Sequence, residues 1–159
     1  MKAHTLHQIQ QELRSMEAPE LVELCMRLAK HKKESKELLS YLLFEKNDES
    51  EYIQKVKLSI DELFQGINRS TAWTTKKGLQ KVVRHLTKFI RNSSKKESEL
   101  ELRLYFCKKV RDTRINLNAS TVTKNIYFRE ADKIKLIFSK LHEDLQLDYR
   151  QQLEELSIV

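Results

Sequence analysis

Apolar residues along this chain recur three and four positions apart, and no segment keeps strict alternation of apolar and polar residues between glycine or proline turns. That spacing describes helices with one dry face rather than strands. Leu6, Ile9, Leu13 and Met16 form a first stripe, and Leu21, Leu24, Cys25 and Leu28 a second, with Pro19 where the first turn of a helix tolerates it. After the polar stretch HKKES, Leu38, Leu39, Leu42 and Leu43 predict the buried face of a third helix near residues 34–45. Ile53, Val56, Ile60, Leu63, Phe64 and Ile67 line a fourth, which Asp48 and Glu51 mark at its start as a capping box.

A fifth helix follows from Ser70 or Thr71 as cap and carries Leu79, Val82, Val83, Leu86, Phe89 and Ile90 on one side. Ser94 and Glu97 have the spacing of another capping box, opening a sixth helix that runs to about Arg114. INLNAS is a connector with Asn118 as its expected cap. Beyond it Tyr127, Ala131, Ile134, Phe138, Leu141 and Leu145 keep one face apolar, as either one helix or two, the second alternative placing a break near residues 144–148, where Asp148 and Gln151 have capping-box spacing. Composition agrees: 76 of 159 residues are Ala, Glu, Lys, Leu or Arg, against two glycines and one proline, so sharp turns are few. The expected fold is all-α, six to eight helices stacked as antiparallel hairpins in one domain over residues 1–159.

KKESKELLSYLLFEK from Lys32 and KKESELELRLYFCKK from Lys95 agree at six of fifteen positions without gaps. Two explanations stay open. The segments are either a degenerate repeat of helix pairs, as in α-solenoids, or two separate solutions to the same polar turn into a helix.

Chemistry is sparse. Gly66 and Gly78 stand alone, so there is no glycine-rich phosphate loop, and His142-Glu143 lacks the second histidine of a zinc-binding helix. His4 and His7 read as surface histidines near a fraying terminus, so no metal and no cofactor is expected. Glu97, Glu99 and Glu101 read as negative charge at the positive end of a helix. No nucleophile with a base and an orienting group can be assembled, and the expectation is a protein that is not an enzyme. No apolar run is long enough to cross a bilayer and the first residues do not resemble a signal peptide, so the chain is expected in the cytoplasm. There, Cys25 and Cys107 should behave as small buried hydrophobes.

Charge changes the picture. Residues 1–62 hold 10 cations and 12 anions, and residues 97–159 hold 11 of each, whereas nine lysines and arginines and no acid lie between Glu62 and Glu97. One segment therefore produces the whole formal charge of +7. At about 100° per residue, Lys77, Lys81, Arg84, Lys88, Arg91 and Lys95 fall within a strip roughly 80° wide, opposite the apolar face. A row of fixed cations suits a polyanion that gives up condensed counterions. Gln80 and His85 flank the row as further donors. Trp73 opens the helix, and is read as an anchor in the core before a platform for stacked bases.

Three uses of that face compete: a surface merely solvated or neutralised by acids such as Asp61, Glu62, Glu97 and Glu101, contact with nucleic-acid phosphates, or docking on an acidic protein surface or anionic membrane. Oligomeric state is not legible.

Overall fold

The computed structural model describes residues 2–158, of which the helices are α1 (Leu6–Ser15), α2 (Ala18–His31), α3 (Lys33–Ser40), α4 (Glu49–Gln65), α5 (Ala72–Ser93), α6 (Lys96–Asp112), α7 (Thr121–Phe138) and α8 (Glu143–Glu155). Among the described residues 81% are helical and none is in a strand. The all-α expectation holds for a simple reason: with so few glycines and prolines, the chain changes direction at polar caps. Thr5, Asp48 and Thr71 each accept a hydrogen bond from the backbone N–H three residues on, at the starts of α1, α4 and α5.

Several local expectations are corrected. Ser94 does not cap the sixth helix but ends the fifth, in the left-handed region at φ 57°, and Lys95 precedes α6 without a side-chain cap. The Ser94 hydroxyl donates back to the Arg91 carbonyl at 3.0 Å, and Ser93 and Ser98 donate to Glu49 at the start of α4. Asn118 lies in a short 3-10 turn, and Ser120 is the residue before α7. The last region is two helices, and the break falls at residues 139–142 rather than 144–148, with His142, not Asp148, at the cap position. The third helix stops at Ser40 and continues as a π turn, Tyr41–Glu45.

The chain divides into two compact units, one ending at Phe44 and one beginning at Glu45. In the first, α2 packs on α3. Tyr41 is its one buried residue among those described, and Leu6, Val22, Leu28, Leu43 and Phe44 are all more than half exposed. The expected burial of Leu38, Leu42, Leu43 and Cys25 therefore fails, since 44 residues of short helices offer too little surface to cover a stripe on each.

The second unit is an up-down bundle of five helices. Antiparallel α4 and α5 are fixed at three heights: Glu49 at Ser93, Tyr52 Oη donating to the Phe89 carbonyl at 3.2 Å, and Ser59 Oγ 2.7 Å from His85 Nε2. α6 lies parallel to α4, through Lys57 to Glu101 and Asp61 to Tyr105, and antiparallel to α7, through Arg103 to Glu130. Leu100, Leu102, Leu104, Phe106, Cys107 and Val110 of α6 are almost wholly buried, so this helix is the bundle's axis.

Polar groups are buried along with these apolar ones, and they are paired. Arg103, 4% exposed, binds Glu130 of α7 and, at 2.7 Å, Glu99 one turn back, while Lys133 reaches Glu130 at 2.7 Å. Burial pushes the Glu99 carboxyl up, yet hydrogen bonds from Arg103 and Lys96 outweigh it and hold it below the usual carboxylate range. The glutamates read as charge at a helix end are thus divided: Glu99 serves this cluster and Glu101 pairs with Lys57.

Candidate polyanion-binding face

α5 is seated by Leu79, Val82, Leu86 and Ile90, all buried, and contacts α4, α6 and α7. Gly78 lets it sit close to the connector before it: a Cβ there would lie 2.8 Å from Ile67 Cγ2. No side chain larger than hydrogen fits without moving that isoleucine. With the apolar side fixed inward at four places, rotation of α5 is settled, and the opposite side must face water.

Lys77, Lys81, Arg84 and Arg91 are exposed, and among the described residues none of the four has a carboxylate within ion-pair distance. From Lys77 to Arg91 the row extends ~21 Å along the axis at 1.5 Å per residue. Of the four carboxylates that could neutralise it, two are occupied elsewhere. Asp61 takes Lys109 at 2.8 Å and the Tyr105 hydroxyl, raising the pKa of both donors: for Lys109 the hydrogen bond dominates, for Tyr105 burial does. Glu101 takes Lys57. Neither Glu62 nor Glu97 pairs with any of the four.

The other two members of the predicted row differ. Lys88 is half-buried, its Nζ 5.1 Å from the Phe89 ring centroid. Lys95 lies past the end of α5, where the left-handed turn at Ser94 breaks the helical geometry, and its Nζ is 3.0 Å from Glu49. His85 does not join the row either, because it turns to Ser59 of α4 and lies edge-on to Phe89 at 4.6 Å. Gln80 is exposed beside the cations, as expected.

Trp73 is the larger correction. It is 57% exposed rather than a core anchor, and Lys77 Nζ lies 3.7 Å from its ring centroid. Position explains this. Trp73 is one turn N-terminal to Lys77 and shares its outward face, and the spacing Trp-x-x-x-Lys was the legible signal for the pair. An exposed indole next to a cation row offers a flat stacking surface with charge beside it.

Comparison with known proteins adds no relative to this geometry: no protein-family model, no curated protein and no solved structure matches the chain.

Proposed function

We propose that this chain is a non-catalytic helical binding module whose α5 face holds nucleic acid through its phosphates, without reading sequence. The observation that carries the reading is the set of four exposed cations, Lys77, Lys81, Arg84 and Arg91, left without carboxylate partners while neighbouring acids pair elsewhere. Such a row gains by counterion release from a polyanion, and Trp73 supports single-stranded nucleic acid in particular. No base-edge reader is evident on the face, since Gln80 is the single exposed amide between the cations.

Lys81→Gln with Arg84→Gln should weaken binding of every oligonucleotide alike and reduce the salt slope by about one unit for each phosphate no longer neutralised. Fluorescence anisotropy across a salt series measures both, and a wild-type protein that binds no RNA or DNA at low salt would end this reading.

A second reading is a protein-interaction scaffold. It is favoured by one observation, the exposure of Leu28, Leu43 and Phe44 in the first unit. In that case replacing Leu43 and Phe44 with polar residues abolishes partner capture while oligonucleotide binding is unaffected.

A further inference from the structure

α2 is apolar around too much of its circumference for one neighbour. At about 100° per residue its apolar positions run from Leu24 and Leu21 round to Cys25, Val22 and Met26, an arc of roughly 200° where a surface helix shows a stripe of about 100°. Leu21 and Leu24 are half-buried, and α2 packs on α3. Ala18, Val22, Cys25 and Met26, on the other part of the arc, are exposed.

This is a property of the first unit rather than of the whole chain. Among the described residues, nine of the fifteen exposed large apolar side chains lie before Glu45, and the six after it are scattered over α4, α5, α7 and α8. The second unit closes a core of its own. A unit of 44 residues is near the size at which small folds lean on a second chain.

Charge identifies that chain. Glu17, Glu20 and Glu23 stand eight, five and two residues before Cys25, and Arg27, Lys30 and Lys33 stand two, five and eight after it. Parallel pairing of two such segments sets acid on acid. Antiparallel pairing about a two-fold axis level with Cys25 sets a base at the height of every acid, so the segment is its own complement. Acids first and bases last also suit the dipole of a single helix, but the dipole does not require equal spacing about a centre beside an uncovered strip. Glu23 and Lys30 project within about 60° of Met26, at the edge of that strip. Neither makes an ion pair among the described residues.

We propose that Ala18, Val22, Cys25 and Met26 dock on the same strip of a second copy of this chain, α2 antiparallel to α2, with Glu23 of each copy facing Lys30 of the other. Such an interface is isologous, and one strip serves both sides. It uses neither the α5 cation row nor Leu28, Leu43 and Phe44, and each of these surfaces can fail alone. Few side chains take part, so association is weak, with Kd on the order of 10–100 µM.

Sedimentation velocity of the full chain, from about 1 to 500 µM, should pass from one copy to two. Val22→Gln with Met26→Gln alters exposed positions only, so helicity by circular dichroism should hold while Kd rises at least about tenfold. Glu23→Lys alone and Lys30→Glu alone each set like charges face to face and should weaken pairing about tenfold. Mixed in equal amounts, these two variants should pair as well as the wild type, because every changed residue then faces its opposite. Damage to the fold in either variant gives no such recovery. Maleimide should modify Cys25 at once below about 1 µM, where single copies prevail, and more slowly as the copies pair.

A chain that stays single up to about 500 µM overturns the proposal, whether the strip is then bare or covered by something else. So does a dimer that the Val22 and Met26 replacements leave intact, or a failure of the two charge variants to recover on mixing.

Discussion

α3 and α6 start alike and end in opposite environments. Each follows a lysine in extended backbone with no side-chain cap, each begins within KKES, and the aligned residues Leu39 and Leu102 sit at the same height in their helices. Leu39 is half-buried and Leu102 is fully buried. The rest of each helix makes the difference. α6 continues with apolar residues at Leu100, Leu102, Leu104 and Phe106, which no single face can hold, so it must be surrounded by helices. α3 carries a one-sided stripe for eight residues, then widens into the π turn, and within its unit it packs on α2. A shared local sequence fixes where a helix begins; burial depends on how many neighbours the rest of the chain can supply.

Substitutions at aligned positions test this contrast. The largest effect is expected at Arg103, where Arg103→Met leaves Glu130 charged at 2% exposure with only Lys133 beside it and should cost ~3–5 kcal/mol by urea denaturation. Replacing Glu130 with Met as well should recover most of that loss. The aligned Ser40→Ala should change stability by no more than ~0.5 kcal/mol. An equal cost at the two positions would break the comparison.

Next in size, Leu102→Ala should lose ~3 kcal/mol through the cavity it leaves, and Leu39→Ala less than ~1 kcal/mol. The same denaturation experiment reads both.

A smaller effect is expected from alkali. Burial, with Glu130 adding to it, pushes the Cys107 thiol from 9.0 up to about 12. The folded state holds the neutral thiol, so this contribution is whole below 9.0 and disappears as pH rises from there through about 12. Cys107→Val should flatten the fall of the urea midpoint over that window.

The smallest effect separates the two thiols. Maleimide should label exposed Cys25 at once in the native protein, with stability unchanged within ~0.5 kcal/mol, and reach Cys107 only through unfolding. Mass spectrometry along a time course counts the labels, and rapid double labelling would show that α6 is not sealed.

The cation row sets the same lesson at the surface. Lys77, Lys81, Arg84 and Arg91 were legible because they ride on one uninterrupted helix, whose period fixes their common side. Lys95 was misplaced because a single left-handed residue, Ser94, ends that period one step earlier. Trp73 was misjudged because size and apolarity favour burial on average, whereas its place beside Lys77 on the outward face excludes it from the core.

The sequence by itself determined helix: its scarcity of glycine and proline, the three-and-four spacing of apolar residues, and caps such as Asp48 and Thr71, all of which act within a few residues. It also determined that charge concentrates on one helix. Only the tertiary structure decided which apolar stripes are covered, and that Asp61 and Glu101 are held by Lys109 and Lys57 rather than by the row. Hydrogen-bonded turns are set locally and survive any packing, whereas burial and ion pairing depend on residues far along the chain, as from Asp61 to Lys109 or Arg103 to Glu130, whose meeting no local pattern encodes.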